Sequence, residues 1–149
     1  MRVVIAGGGM IGLAAARLLR QRGIEPVVLE RRPAGPPPTH PFMLGYHGYP
    51  ALEDMGLMDE VRSHGWDVSQ GTTSIGVSMS FIDFVEILGR GVPVEHEHTI
   101  VDLVRDEGRV VGVIAHGPGG ETRIESDLVI ASDGFRSRVR EMAGIEARY

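Results

Sequence analysis

A glycine-rich turn between an apolar run and a helical run constrains the fold of this chain more than any other feature. Residues 3–6 read Val-Val-Ile-Ala, which predicts a buried parallel strand, and residues 11–21 predict the helix that follows. Between them lie Gly7, Gly9 and Gly12 in the G-x-G-x-x-G spacing. In this spacing the first glycine makes the turn, the second admits a pyrophosphate and the third lets helix and sheet pack closely. The free N–H groups of the helix N-terminus then face the phosphates.

A second predicted strand ends in an acidic residue at the distance that a dinucleotide site requires. Residues 25–30 form this strand, which is entered through Gly23, a predicted helix C-cap, and ends at Glu30, 23 residues after Gly7. A carboxylate there accepts hydrogen bonds from ribose hydroxyls and repels a 2′-phosphate, which favours FAD or NAD over NADP. The alternative is a chance glycine-rich turn. We predict nucleotide contacts from this half of the site at Gly7, Gly9, Met10, Ile11, Gly12 and Glu30.

Arg31 and Arg32 place two cations beside the predicted ribose site. Both could flank an adenosine phosphate, and of the two we assign Arg31 to the nucleotide site. Two solvated loop arginines are the competing interpretation of the same dipeptide.

Composition excludes several classes of function. The 149 residues fit about one domain, and the net charge of -5 without a basic block predicts no nucleic-acid partner. The absence of cysteine excludes disulfides, thiol catalysis and cysteine metal sites, and it fits a cytoplasmic protein. The first strand begins directly after Met1 and Arg2, and no apolar run is long enough to span a bilayer, so we expect neither a signal peptide nor a membrane segment. His96 and His98 lie two residues apart on one predicted strand and therefore share a face, but no third ligand is apparent, so we predict solvated histidines and no metal site.

The middle of the chain predicts a separate set of elements. Five prolines make residues 31–41 a loop. Apolar spacing predicts one interrupted helix over residues 50–64 and another over residues 81–88. Residues 66–80 are polar and predict little regular structure beyond a short strand at residues 75–79.

The last third of the chain predicts an antiparallel meander and then a second strand-to-helix junction. The meander strands are predicted over residues 94–104, 109–116 and 121–124. Residues 127–131 form a continuous apolar run typical of a central parallel strand. Ser132 or Asp133 could then cap a helix that starts near Phe135. Two such junctions at the carboxyl ends of parallel strands would line one crevice.

Together the two motifs resemble those of FAD-dependent aromatic hydroxylases of the para-hydroxybenzoate hydroxylase type. The second motif is Asp133-Gly134-x-x-Ser137-x-x-Arg140, and residues 51–61 and 109–113 also look like that family. The resemblance covers nearly the whole chain. It implies FAD as cofactor, NADH or NADPH as electron donor, and a small aromatic substrate. It further implies FAD contacts at Asp133 and Gly134 and a structural or pyridine-nucleotide role for Arg140, while no catalytic residue is assigned.

The sequence also departs from that family. The third motif of that family, Gly-Asp followed by small residues and a histidine, is absent from this sequence, and so is the family's substrate domain. We therefore expect an α/β, Rossmann-like FAD/NAD(P)-binding domain over residues 1–149, truncated or pared down, with a partly parallel sheet and an inserted antiparallel meander. Three functions stay open: the FAD-binding part of a flavoprotein monooxygenase (an oxidoreductase), a non-catalytic FAD or ADP module, and an NAD-binding oxidoreductase domain. The sequence also leaves open a homo-oligomer or a C-terminal partner domain.

Overall fold

The computed structural model describes residues 1–37 and 39–146. It divides into two compact units, the first formed by Met1–Ala34 with Val92–Tyr149 and the second by Gly35–Gly91. Within the described residues, no helix combines the length and the apolar character that crossing a bilayer requires.

The helices and strands, in chain order, are β1 (Val3–Ala6), α1 (Met10–Arg20), β2 (Val27–Glu30), β3 (Pro41–Gly45), a short 3-10 helix (Tyr46–Gly48), α2 (Tyr49–Met55), α3 (Met58–His64), β4 (Trp66–Gln70), β5 (Thr73–Ser80), α4 (Phe81–Gly89), β6 (Glu95–His96), β7 (Thr99–Asp106), β8 (Arg109–Gly117), β9 (Gly120–Glu125), β10 (Leu128–Ala131) and α5 (Arg138–Met142).

A parallel sheet of four strands, in the order β10-β1-β2-β6, is the centre of the first unit. All four residues of β1 are buried because its two faces are both covered. Val3 and Ile5 belong to an apolar cluster with Ala16 of α1, whereas Val4 and Ala6 belong to a cluster with residues of the meander. This double coverage explains why the strand reads as a continuous apolar run, and the predicted parallel arrangement of β1, β2 and β10 is confirmed.

The predicted meander is confirmed as β7-β8-β9, but its first strand is shorter than predicted. Residues 94–104 split into β6, which pairs in parallel with β2, and β7. Glu97 lies between them with a left-handed φ of 59°. Its N–H donates to the Arg32 carbonyl, and that of His98 donates to the Glu30 carbonyl. The chain therefore turns from one sheet into the other, and the prediction that His96 and His98 share the face of one strand was wrong.

The second unit contains an antiparallel sheet in the order β3-β5-β4, together with α2, α3 and α4. The predicted helix over residues 50–64 is two helices, because Gly56 adopts a left-handed φ of 69° and ends the first. The helix predicted over residues 81–88 is confirmed as α4. The short strand predicted at residues 75–79 is confirmed within β5, but the prediction of no other regular structure over residues 66–80 was wrong, since β4 occupies residues 66–70 and β5 begins at Thr73. Strand β3 begins at Pro41, where the loop was predicted to continue.

Candidate functional site

A cavity of about 430 Å³ opens at the carboxyl ends of β1, β2 and β10 in the first unit. We call it the strand-end cavity. Its volume lies in the usual range for a small-molecule or cofactor site. Six of the ten residues predicted from the sequence line it: Gly7, Gly9, Glu30, Arg31, Asp133 and Gly134.

The three motif glycines have different surroundings. Gly7 has a φ of 105°, and a Cβ there would lie 2.5 Å from the Ser132 carbonyl oxygen. A Cβ on Gly12 would lie 1.9 Å from the Gly7 carbonyl oxygen. A Cβ on Gly9, by contrast, would meet no atom within 4 Å, and no side chain caps α1 there. Gly7 and Gly12 are therefore required by internal packing, whereas Gly9 leaves the helix N-terminus open.

Ser132 connects the turn after β1 to the turn after β10. Its N–H donates to the Ala6 carbonyl at 2.9 Å, and its hydroxyl donates to the same oxygen at 2.7 Å. The sequence predicted Ser132 only as a possible helix cap, so this contact was missed. The hydroxyl holds the two strand ends together at the back of the cavity.

Glu30 is only 6% exposed, and its carboxylate is hydrogen-bonded on both oxygens. Oε2 accepts from the Gly8 N–H at 2.8 Å. Oε1 accepts from the Arg32 N–H at 2.9 Å and from the Arg32 Nε at 3.0 Å. Burial alone would raise the pKa of Glu30, but the hydrogen bonds from Arg32 and Gly8, with the charge of Arg32, outweigh burial and hold the pKa below its usual value. The carboxylate therefore stays ionised and fixes the glycine turn to the end of β2.

Asp133 lines the cavity, but its carboxylate is bonded to its own loop. Oδ1 accepts from the Ser137 hydroxyl, and Oδ2 accepts from the N–H groups of Arg138 and Val139 at 2.8 and 3.3 Å. Ser137 is the N-cap of α5 and accepts from the Arg140 N–H at 3.0 Å. The predicted helix start near Phe135 was therefore wrong by three residues, because Ser137 rather than Ser132 or Asp133 occupies the cap position.

Four of the predicted residues do not line the strand-end cavity. Met10, Ile11 and Gly12 belong to the first turn of α1, and the Ile11 residue is 62% exposed. Arg140 borders a different cavity beside β10, and its Nη1 donates to the Phe135 carbonyl at 3.2 Å. The structure therefore brings the two motifs together without bringing Arg140 to the same cavity.

The cavity is also lined by ionisable residues that we did not assign to it from the sequence: Arg32, His98, Arg136 and Arg138. Their position directly after the second strand-to-helix turn is the sequence feature that could have identified Arg136 and Arg138 as lining residues. With Arg31, the lining carries four arginines against the two carboxylates of Glu30 and Asp133. This excess of two positive charges, beside an open helix N-terminus, suits an anionic ligand such as a dinucleotide pyrophosphate. In the described part of the chain, no group of three histidine, aspartate or glutamate residues is arranged to hold a metal ion.

Known proteins resemble this chain in sequence and in fold. Para-nitrophenol 4-monooxygenase of Pseudomonas sp. (strain WBC-3) is 25% identical over 96% of this chain and 42% of its own length. Digeranylgeranylglycerophospholipid reductase 1 of Methanopyrus kandleri is 29% identical over 96% of this chain and 42% of its own length. The chain thus spans about two fifths of these relatives.

A solved structure, that of p-nitrophenol 4-monooxygenase from Pseudomonas putida, superposes with a TM-score of 0.79 over 95% of this chain and 43% of that one. Its sequence identity of 23% supports a shared fold alone. The sequence pattern described by one family matches residues 1–86 and 86–149, which is the whole chain. With the glycine turn, the acidic strand end and the second strand-end loop all in place, the chain belongs to the FAD binding domain family.

Proposed function

We propose that the strand-end cavity is the FAD site of this domain. The observation that carries the proposal is the open position at Gly9, where the N-terminus of α1 meets a cavity with an excess of positive charge. A pyrophosphate there would accept hydrogen bonds from backbone N–H groups of the first helical turn, including those of Met10 and Ile11. Gly7 and Gly12 would serve the same site indirectly, by allowing the tight turn beneath it.

The remaining contacts follow from the charges around the cavity. Oε2 of Glu30 accepts one hydrogen bond and keeps a lone pair that can accept from a hydroxyl of an adenosine ribose, whereas Oε1 already accepts two hydrogen bonds from Arg32. Arg31, Arg136 and Arg138 would balance the phosphate charge. Asp133 would act by holding the loop that carries Gly134 and these last two arginines. Arg140, which borders another cavity, would support α5.

For the whole protein we propose a flavoprotein monooxygenase that hydroxylates a small aromatic molecule with NADH or NADPH and O₂. When bound, FAD would supply the redox chemistry, which is the transfer of electrons from NADH or NADPH to O₂. The support is the similarity to one relative, para-nitrophenol 4-monooxygenase. A cytoplasmic location, the assignment of residues 1–149 to one FAD-binding domain and the need for a further substrate-binding part are predictions of the same proposal.

A non-catalytic FAD or ADP module is the second candidate. It is favoured by one observation: every contact assigned above falls on the adenosine and pyrophosphate half of the cofactor. In that case FAD and ADP would bind with similar affinity.

The decisive experiment measures binding and turnover in the same preparation. We expect purified protein titrated with FAD to quench flavin fluorescence, ADP to compete, and FMN, which lacks the adenosine half, to bind at least tenfold more weakly. Equal affinity for FMN, or no FAD binding, would remove the proposed site.

The protein is then given FAD, NADH or NADPH and a panel of phenols. Hydroxylated product supports the monooxygenase, hydrogen peroxide alone supports an uncoupled oxidase, and binding without oxidation of NAD(P)H supports the module.

A further inference from the structure

Arg32, rather than Arg31, is the arginine of the Glu30-Arg31-Arg32 run that contacts the Glu30 carboxylate. It donates to Oε1 twice, from its backbone N–H at 2.9 Å and from its Nε at 3.0 Å. The carboxylate is buried, whereas the Arg32 side chain is 46% exposed and lies on its outer side. A buried carboxylate needs such a counter-charge to stay ionised at low cost.

The backbone of Arg32 is held from the other side as well. Its carbonyl oxygen accepts from the Glu97 N–H at 3.1 Å, and the His96 Nδ1 lies 3.2 Å from the same oxygen. Glu97 is the left-handed residue at which the chain passes from β6 to β7. Arg32 is therefore fixed between the end of β2 and this turn, and its Nε is directed to Glu30 by a backbone that is already anchored.

The opposite oxygen of Glu30 holds the glycine turn. Oε2 accepts from the Gly8 N–H at 2.8 Å, and a Cβ added to Gly8 would lie 3.1 Å from the Glu30 Cβ, so the two segments are in close contact. Rotation of the carboxylate would break this bond, and Gly9 directly follows Gly8 at the open helix N-terminus. The orientation of the carboxylate therefore affects the part of the turn that would receive a pyrophosphate.

We propose that Arg32 is a positioning residue for the nucleotide site: it holds the Glu30 carboxylate in the orientation that fixes the glycine turn. The proposal rests on the proposed function for the ligand, but the Glu30–Arg32 pair is a property of the protein alone. Arg31 lines the same cavity with the same charge but, among the described residues, it is Arg32 and not Arg31 that bonds to Glu30. It is the matched control.

Other titratable groups lie on the elements around Glu30 and would affect any pH dependence equally in all variants. The glycine turn contributes none. These groups, on β6, in the turn after it and in the loop after β10, are Glu95, His96, Glu97, His98, Asp133, Arg136 and Arg138. Because none of these is changed, a difference between variants at Arg31 and Arg32 reports on the two arginines.

The test compares wild type, Arg32→Ala, Arg32→Lys and Arg31→Ala by two measurements between pH 3 and 8. The first is the NMR titration of the Glu30 side-chain carboxyl without ligand, and the second is the calorimetric dissociation constant for ADP. In Arg32→Ala we expect the Glu30 titration to move to higher pH and ADP affinity to fall about tenfold at neutral pH. We expect Arg31→Ala to leave the Glu30 titration in place and to weaken ADP binding less than about fivefold.

Arg32→Lys separates charge from geometry, since lysine keeps the charge but lacks the Nε donor at the observed position. We expect it to recover less than half of the lost affinity on a logarithmic scale. Equal titration shifts in Arg31→Ala and Arg32→Ala, or none in either, would overturn the proposal. If wild type fails to bind ADP, the proposed function fails, whereas the Glu30 titration still decides whether Arg32 holds the carboxylate.

Discussion

The two strand-end loops of the parallel sheet, residues 7–9 after β1 and residues 132–137 after β10, reach the same cavity by opposite means. The first is made of glycine alone and is held from outside, by the Glu30 carboxylate on Gly8. The second carries its own polar side chains, and Asp133 and Ser137 bond to each other and to the first turn of α5. One loop exposes backbone, whereas the other uses its polar groups internally.

This difference teaches that a residue's place in a binding motif does not show how the residue acts. At the first loop, an empty space beside Gly9 is the feature available to a ligand. At the second loop, the aspartate that looks like a ligand contact already has three donors from its own chain. Substitution of Gly9 should therefore reduce binding more than stability, and substitution of Asp133 should do the reverse.

Gly9→Val should have the largest effect on binding. Its side chain would project into the space where we place the pyrophosphate, while the φ of -83° at Gly9 is accessible to valine. We expect FAD and ADP affinity to fall more than about a hundredfold, since the phosphate contacts are lost outright. Calorimetry and circular dichroism together test this, with near-native spectra expected.

The control for Gly9→Val is Gly12→Val, at a position where even a Cβ would lie 1.9 Å from a carbonyl oxygen. That variant should unfold or lose several kcal/mol of stability, because backbone must move to admit the side chain. If Gly9→Val binds normally, the glycine turn is only a turn and the contrast between the loops collapses.

Glu30→Ala should have the next largest effect. It removes an acceptor for ribose hydroxyls and the bond to Gly8, each a charge-assisted contact of about 1.5–3 kcal/mol. We expect ADP and FAD to bind roughly ten- to a hundredfold more weakly by calorimetry. Unchanged affinity would remove Glu30 from the site, although its bonds to Arg32 would still explain why the residue is buried.

Sequence patterns predicted the parts of the fold that local chemistry determines. The apolar run of β1, the glycine spacing and Glu30 at a strand end follow from burial on two faces and from backbone clearance, both visible in residue types. The position of Arg136 and Arg138 in the cavity lining could not be predicted in the same way. The direction of the loop that carries Arg136 depends on the hydrogen bonds that Asp133 accepts. Strand β4 escaped prediction because it carries many polar residues. The strand predicted at residues 75–79 is longer in the structure, because β5 pairs with β4 in a hairpin and also with β3, which is distant in sequence.

Asp133→Ala should sharpen the comparison from the second loop. The variant loses an acceptor for two N–H groups at the start of α5 and the partner of the Ser137 hydroxyl. We expect the free energy of unfolding to fall by about 1–2 kcal/mol, as for the loss of a helix cap, and ADP affinity to change less than in Glu30→Ala. Urea denaturation and calorimetry measure the two quantities. Asp133→Asn keeps an acceptor and should lose less stability, whereas a larger effect on binding than on stability would contradict the assigned role.

The smallest expected effect is the acid dependence of stability from Glu30. Its pKa in the folded protein is below the usual value, because hydrogen bonds and the charge of Arg32 outweigh the opposing effect of burial. Glu30 therefore contributes stability above the usual glutamate pKa of about 4.3, and this contribution is lost as the pH falls through the lower pKa of the folded state. Glu30→Gln cannot titrate there, so its stability should be lower than that of wild type at neutral pH and should approach it as the solution becomes more acid.

Asp127, whose pKa is lowered by hydrogen bonding from the Arg2 backbone and by nearby positive charge, adds an acid dependence that both proteins share. The difference between their urea unfolding free energies, measured from pH 7 to 3, isolates Glu30. A difference that stays constant with pH would show that the bonds around Glu30 do not depend on its charge, and the first loop would then be held by hydrogen bonds that a neutral side chain makes equally well.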